Sequence, residues 1–225
     1  MSSLGDGLWA SGLWTTYGED ILYLGLQHIE LTLISGGLAI LTGIPLGILL
    51  SRPFMQASAE GMMQMLNIGT TIPTLAVLAL SMTLLGIGTP PALFALWLAS
   101  LLYIVRNTYS GLRAVPEFLI EAARGTGMTP LQILMRVELP NALFVIFAGM
   151  RTALTINVGT VPLAFLIGGG GLGELIFTGI DLNEPAMMLA GAIPTALLAV
   201  AVDTVLAGLA FMLIPRGANP LRQAH

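Results

Sequence analysis

Five long apolar stretches, each bounded by turn residues or charges, most constrain what this chain can fold into. They cover about residues 27–50, 62–85, 91–109, 141–167 and 186–214. A helix needs roughly 20 residues to cross about 30 Å of hydrocarbon, and each stretch is about that long. Only 9% of the 225 residues are charged, whereas about a quarter are charged in a soluble domain. The sequence therefore predicts an all-α membrane protein with five transmembrane helices.

The arginines predict the orientation of these spans. Arg52 lies between the first and second spans, three arginines lie between the third and fourth, and two follow the fifth; the last five are Arg113, Arg124, Arg136, Arg216 and Arg222. Loops on the other side contain no arginine, while Arg106 and Arg151 fall within or beside spans, on the arginine-rich half. Because retained loops carry the basic residues, we expect the N-terminus outside and the C-terminus inside.

This topology divides the chain into an extracytoplasmic arm (1–26), a transmembrane domain (27–215) and a cytoplasmic tail (216–225). In the arm, apolar residues recur at rough helical spacing and include paired tryptophans, which suit the membrane–water interface. They are Leu8, Trp9, Leu13, Trp14, Tyr17 and Ile21. The alternative is a poorly ordered tail.

Several chemistries are excluded by residue types that the chain lacks. Its eight basic residues are all arginine, it has no cysteine, and its two histidines are His28 and His225. Without lysine there is no P-loop lysine and no Schiff base, so any ATP used with this protein is bound by another chain. No disulfide framework, iron–sulfur cluster or zinc site is expected either. We therefore predict no catalytic residue, no metal and no cofactor bound by this chain.

Proline and glycine interrupt the spans, and helices broken in this way need neighbouring helices or a wet cavity to satisfy their backbone groups. Transport pathways are commonly lined by such segments. The predicted path residues lie near the breaks of the second and fourth spans: Asn67, Thr70, Thr71, Pro73, Asn157 and Thr160. The alternative role for the polar members is hydrogen bonding between helices.

Other tempting motifs have simpler explanations. Gly168, Gly170 and Gly173 match the GxGxxG dinucleotide fingerprint, but they follow a membrane helix and not a strand, which favours an extracytoplasmic turn. Glu30 and Asp203 are carboxylates inside predicted spans and are therefore functional candidates. Glu30 is close enough to the end of its span to remain in the interface, and Asp203 can pair with an arginine of a neighbouring helix.

The insertion 116–140, PEFLIEAARGTGMTPLQILMRVELP, is the long polar segment of the chain. Its mixture of charged and apolar residues predicts two short amphipathic helices. Gly125 and Gly127 supply the break between them, and Thr129 is placed to cap a second helix that begins at Pro130. We expect a helix–turn–helix bracket on the cytoplasmic face.

This insertion resembles a loop in the membrane subunits of ATP-binding cassette importers, with the pattern Glu-Ala-Ala, three residues, Gly, nine residues, Ile, one residue, Leu-Pro. The chain matches six of the seven positions with Glu121, Ala122, Ala123, Gly127, Leu139 and Pro140, and has Val137 in place of Ile. The resemblance implies a type I permease fold and a coupling helix that docks in a cleft on a cytoplasmic ATPase subunit. It also implies that small residues at Ala122 and Ala123 let the helix lie close to that partner.

A narrower resemblance covers most of the chain. Stretches such as LQHIELTLISGGLAILTGIPLGILLSR (26–52) and LIGGGGLGELIFTGI (166–180) are similar to permeases that import choline, glycine betaine, carnitine and related osmoprotectants. This resemblance implies a multi-pass subunit of the bacterial inner membrane. Its partners would be the lipid bilayer, an ATP-binding subunit, a second permease (identical or paralogous) and a separate extracytoplasmic binding protein, with no nucleic acid. The alternatives are a permease for amino acids or another small solute and, from a different class, a secondary carrier.

Overall fold

The computed structural model describes residues 8–214, which form helices and turns with no strand among them. The start of the predicted arm (1–7) and the predicted tail (216–225), with Arg216 and Arg222, lie outside this range. The α-helices are α1 (Leu8–Leu50), α2 (Gln56–Gly69), α3 (Thr74–Leu85), α4 (Thr89–Arg113), α5 (Glu117–Gly125), α6 (Pro130–Ile133), α7 (Leu139–Thr160), α8 (Gly173–Asp181) and α9 (Pro185–Leu213). A π-helical turn (Leu134–Glu138) joins α6 to α7, and 3-10 helices cover Pro53–Met55 and Val161–Ile167.

Four segments of the described chain are long and apolar enough to cross a membrane: Gly12–Leu50, Thr89–Arg113, Pro130–Ile167 and Pro185–Leu213. They contain the first, third, fourth and fifth predicted spans. A fifth span exists only if Ala57–Gly69 and Thr74–Leu85, which are bent by 100° at a short break, count as one.

The break in the second predicted span has a local cause. Pro73 fixes its own φ at -58° and disfavours helical backbone at the preceding residue. The chain forms a turn just before Pro73, where the Ile72 amide donates a hydrogen bond to the Gly69 carbonyl, three residues back, at 3.2 Å. The second predicted span is therefore interrupted, as its proline indicated: one helix ends at Gly69 and another begins at Thr74.

Helix α1 begins much earlier than the predicted span. Its 43 residues give a length of about 64 Å at 1.5 Å per residue, about twice the hydrocarbon thickness. The extra turns are held by packing, since Leu13, Tyr17 and Ile21 lie against a buried cluster of Leu24, Leu172, Leu175 and Ala190. The described part of the arm is thus a continuous extension of the first span, which confirms its helical spacing.

The chain packs as two compact units. The first contains the chain up to Gly37, Pro73–Trp97 and Thr155–Ala201. Its main core joins α1, α3, α4 and the second 3-10 helix through Leu31, Leu78, Ala92, Ala95, Leu96, Val161, Ala164 and Ile167. No arginine lies among its described residues.

The second unit contains Leu38–Ile72, Leu98–Leu154 and the chain from Val202 on. Its core is formed by Leu112, Val115, Ala142 and Ile146, against which Ile44, Ile48, Ile120, Leu134, Leu139 and Met150 pack. Helices α1 and α4 approach closely at Gly47, where a Cβ atom would lie 2.6 Å from the Cβ of Thr108. All six arginines of the described chain belong to this unit.

Candidate functional site

The insertion folds as a hairpin whose turn depends on Gly127. Helix α5 ends in a Schellman motif: the Gly127 amide bonds to the Arg124 carbonyl at 2.9 Å, and the Met128 amide bonds to the Ala123 carbonyl at 3.2 Å. This motif needs a left-handed residue, and Gly127 has φ +79°. Glycine adopts that conformation without strain, so the predicted break between two helices is confirmed.

The second arm of the hairpin begins as the sequence predicted, at a capping box around Thr129 and Pro130. The Thr129 hydroxyl oxygen accepts from the Gln132 amide at 3.4 Å, and the Gln132 side-chain oxygen accepts from the Thr129 amide at 2.9 Å. Two otherwise unpaired donors are satisfied in this way. Pro130 occupies the first turn, where its missing N–H has no consequence.

The sequence predicted that this second arm is a separate amphipathic helix, but the structure does not show one. Helix α6, the π-helical turn, α7 and the 3-10 helix after it form one segment, Pro130–Ile167. Pro140 lacks an N–H to bond to the carbonyl of Arg136 and its ring crowds that carbonyl. A π-helical turn over Leu134–Glu138 widens the backbone just before it, so the hairpin continues directly into the fourth span.

The predicted coupling residues differ in their exposure to solvent. Glu121, Ala122 and Gly127 are exposed on the hairpin, and Leu139 and Pro140 are half-buried at the start of α7. Ala123 is buried, which assigns it to packing within the chain and leaves Ala122 as the exposed small residue. Neither ion pair found within residues 8–214 involves Glu121.

Three large apolar side chains of the hairpin were not among the predicted coupling residues. Phe118 and Leu131 are each 67% exposed, and Met135 is 58% exposed. Amphipathic spacing alone does not show whether an apolar face is covered. The exposure of these three side chains gives the hairpin an apolar outer surface, a feature typical of a docking site.

The predicted path residues fall into two groups. Asn67, Thr70 and Thr71 lie at the end of α2 and in the break after it, where both threonine hydroxyls donate to carbonyls three residues back. The Asn67 side-chain oxygen is buried and accepts no hydrogen bond from the described residues. Within residues 8–214 it lacks the partner that buried polar atoms usually have.

The second group belongs to the other unit. Pro73 precedes α3, and the Thr160 hydroxyl donates to the Asn157 carbonyl at 2.9 Å. The Asn157 side chain is buried and donates to the Ser35 hydroxyl at 3.0 Å and to the Leu96 carbonyl at 3.3 Å. These contacts favour the alternative role, hydrogen bonding between helices, for Asn157.

We expect Asn157→Ala to lower the free energy of unfolding by about 1–3 kcal/mol, because it removes the buried side chain that donates to Ser35 of α1 and to Leu96 of α4. Thermal unfolding in detergent measures this change. Thr160→Ala is the control, since its hydroxyl bonds only within its own helix, and we expect it to alter stability by less than about 1 kcal/mol. An unchanged stability in the Asn157 variant would contradict a packing role.

The remaining motifs are resolved by their surroundings. The glycine-rich turn follows a 3-10 helix and precedes α8, and the Gly171 amide donates to the Gln27 side chain at 3.1 Å. Asp203 pairs with Arg151 through two hydrogen bonds of 3.0 and 2.7 Å, as the sequence predicted, whereas Glu30 is exposed beside the glycine-rich turn. Within the described range, no three His, Asp or Glu residues are grouped as metal ligands would be.

Known proteins support the membrane-subunit interpretation. Residues 43–217 match the family described as binding-protein-dependent transport system inner membrane component. The chain is 56% identical to the osmoprotectant import permease protein OsmY of Salmonella typhimurium (strain LT2), over 89% of this chain and 86% of that protein. It is 43% identical to the choline transport system permease protein OpuBB of Bacillus subtilis (strain 168), over 92% and 95%.

Among solved structures, the fold is similar to that of the MetNI methionine ABC transporter in an inward-facing conformation. The TM-score is 0.74 at 24% identity, covering 88% of this chain and 99% of the other. At this identity the likeness concerns the fold alone. The family match covers more than half of the chain and the sequence relatives match along nearly its whole length, so this chain belongs to the binding-protein-dependent transport system inner membrane components, the permeases of ABC importers.

Proposed function

We propose that this chain is the permease of an ATP-driven importer for osmoprotectants that carry a quaternary ammonium group, such as choline, glycine betaine and carnitine. The observation that carries the substrate class is the 56% identity, over 89% of the chain, to a permease named for osmoprotectant import. That similarity extends far beyond the hairpin. It therefore favours this substrate class over amino acids or other small solutes.

In this proposal the chain binds no cofactor and performs no bond chemistry of its own. A cytoplasmic partner subunit binds and hydrolyses ATP, and an extracytoplasmic binding protein delivers the solute. A second permease, identical or paralogous, completes the pathway. The complete absence of lysine supports the assignment of ATP to another chain, because a P-loop needs a lysine.

We place the protein in the bacterial inner membrane with five spans, the N-terminus outside and the C-terminus inside. The arginine distribution supports this orientation, since all six arginines of the described range belong to the second unit. Residues 1–26 would form the extracytoplasmic arm, 27–215 the permease domain and 216–225 the cytoplasmic tail. The fifth span in this count is the broken pair α2 and α3.

The hairpin 116–140 is the proposed coupling element. It exposes the apolar residues Phe118, Leu131 and Met135 as well as the small Ala122, and apolar side chains of this kind anchor protein interfaces. Glu121 is exposed and free to meet an arginine of the ATPase. Because α6 continues into α7, a displacement of the docked hairpin reaches the fourth span directly.

The mechanism is alternating access. ATP binding draws the two ATPase subunits together, the hairpins move with them, and the spans change from inward-open to outward-open. The loaded binding protein then releases solute into a path near the breaks in the second and fourth spans. Asn67 is the path residue whose buried side-chain oxygen has no hydrogen-bond partner among the described residues.

Solute uptake into vesicles tests this proposal. The chain is reconstituted with its ATPase and binding protein, and uptake of labelled choline, glycine betaine and carnitine is measured with and without ATP. We expect ATP-dependent uptake of at least one of the three. Uptake without ATP would indicate a secondary carrier, and ATP-driven uptake of amino acids alone would assign the chain to another solute.

We expect Gly127→Val to reduce ATP-driven uptake about tenfold, because a side chain in the left-handed conformation costs about 1–2 kcal/mol and depopulates the turn. The strain is purely conformational, since a Cβ atom at Gly127 would have no neighbour within 4 Å. Uptake at saturating binding protein and ATP is the measurement.

Two controls isolate the turn. Gly125→Val makes the same change in α5, where φ is negative and a Cβ atom also has open space, and it should retain most of the activity. Gly127→Asn should retain activity as well, because asparagine tolerates the left-handed region. Equal losses in the valine variants at both positions would contradict the role assigned to the turn.

A further inference from the structure

Arg52 lies just after the end of α1, where several bonds fix its guanidinium group. Its Nε atom donates to the Ile48 carbonyl at 3.2 Å, and its Nη2 atom donates to the Ser51 hydroxyl at 2.8 Å. Ser51 in turn donates to the Ile48 carbonyl at 2.7 Å. A cation at this position also interacts favourably with the unpaired carbonyls of a helix C-terminus. The guanidinium is therefore oriented before it meets any partner.

The third nitrogen of this guanidinium, Nη1, lies against the coupling hairpin. Nη1 of Arg52 lies 2.7 Å from Oε2 of Glu138, the last residue of the π-helical turn. The two side chains are only 22% and 11% exposed. Limited access of water strengthens the attraction between the charges, so this pair differs from an ordinary surface ion pair, which contributes little.

The pair forms part of the wall of a cavity of about 360 Å³ between the end of α1, the end of α4 and the hairpin. The other charged residues that line this cavity are Arg113, Arg124 and Glu117. None of these three forms an ion pair within residues 8–214. In that part of the chain, Arg52–Glu138 is thus the ion pair that ties the hairpin to a membrane span.

We propose that Arg52 and Glu138 act as a clamp that transmits movement of the coupling hairpin to the first span. The inference rests on the proposed function, because it assumes that the hairpin docks on an ATPase. The hairpin continues covalently into α7, but it is joined to α1 only by non-covalent contacts. The clamp makes α1 follow the hairpin when the ATPase subunits close.

The apolar contacts at the same place cannot do this alone. Ile44 and Ile48 of α1 share a buried cluster with Ile120 and Leu134 of the hairpin. Apolar packing is non-directional and permits one surface to slide over the other. The guanidinium of Arg52 is held by Ile48 and Ser51, and its charge contact with Glu138 resists that sliding, because sliding separates the two charges.

The test compares ATP hydrolysis with solute uptake in the same reconstituted vesicles. For Arg52→Gln and Glu138→Gln we expect uptake to fall about tenfold while binding-protein-stimulated ATP hydrolysis stays within about twofold of the wild type, a loss within the usual range of coupling between sites. Arg113→Gln is the matched control. It removes the same charge from the same cavity wall without breaking an ion pair within residues 8–214, and its ratio of uptake to hydrolysis should be that of the wild type.

A covalent clamp separates this role from general stability. The chain has no cysteine, so in Arg52→Cys/Glu138→Cys a short bis-maleimide reacts only at the engineered pair within this chain. Cross-linking should restore the ratio of uptake to hydrolysis that the unlinked double variant has lost. If the pair only stabilises the fold, cross-linking the double variant would raise its melting temperature and leave its ratio of uptake to hydrolysis unchanged.

The outcomes are distinguishable. If wild-type vesicles show no ATP-dependent uptake, the proposed function fails and the clamp fails with it. If the wild type is active and the Arg52 and Glu138 variants keep its ratio of uptake to hydrolysis, the clamp alone is refuted. If both activities fall in parallel and cross-linking restores neither, the pair is structural and the inference is again refuted.

Discussion

We expect Gly173→Ala to destabilise the protein so strongly that little folded protein is present in the membrane. A Cβ atom at this position would lie 2.7 Å from both the carbonyl carbon and the Cα of Pro162, and closer still to the carbonyl oxygen of that residue. These are backbone atoms inside a 3-10 helix that contributes to the core of the first unit. They cannot turn aside as a flexible side chain would. We expect destabilisation of about 3 kcal/mol or more, at the upper end for overpacking.

The yield and melting temperature of monodisperse protein in detergent measure this effect. Gly159→Ala is the matched control, because it makes the same substitution in α7 and a Cβ atom there has no neighbour within 4 Å. That variant should fold at least as well as the wild type, since alanine favours helix more than glycine does. Normal folding of the Gly173 variant would show that α8 and the 3-10 helix lie farther apart than the structure has them.

The second large effect concerns Arg151 and Asp203, which pair inside the spans of α7 and α9. The two hydrogen bonds form a bidentate contact, the strongest arrangement available to these groups. Their side chains are 39% and 40% exposed on this single chain. Removing either partner leaves a lone charge among apolar spans, and we expect each of Arg151→Leu and Asp203→Leu to cost about 1–3 kcal/mol.

The double variant is the decisive measurement. Arg151→Leu/Asp203→Leu removes both charges, and apolar replacements of ion pairs are often neutral. We therefore expect it to be more stable than either single variant, with a coupling energy of about 1–3 kcal/mol in the double-mutant cycle. Additive losses would mean that each residue acts independently, for instance on a neighbouring subunit.

Local chemistry made the hairpin predictable. The Gly127 turn and the capping box at Thr129 depend on residues within a few positions of one another, so the residue types alone specify them. The exposure of Phe118, Leu131 and Met135 was not predictable in the same way. Amphipathic spacing shows that a helix has an apolar face, but it does not show whether that face meets the chain's own core or remains uncovered.

The break before Pro73 and the length of α1 mark the limits of the apolar pattern. Pro73 predicted an interruption of the second span, but hydropathy does not change across the break and did not show that the chain bends by 100° there. The arm was expected to be distinct from the span. Packing of Tyr17 and Ile21 against α8 and α9 instead extends the same helix, and only the tertiary structure brings those elements together.

The sequence by itself determined that the chain crosses a membrane and where its apolar spans lie. Hydrocarbon admits only segments that are apolar and satisfy their own backbone hydrogen bonds, and both requirements are local. The tertiary structure alone decided which charges meet, since Arg52 with Glu138 and Arg151 with Asp203 are far apart along the chain. Such pairs depend on how helices pack side by side, and no local pattern of residues records that arrangement.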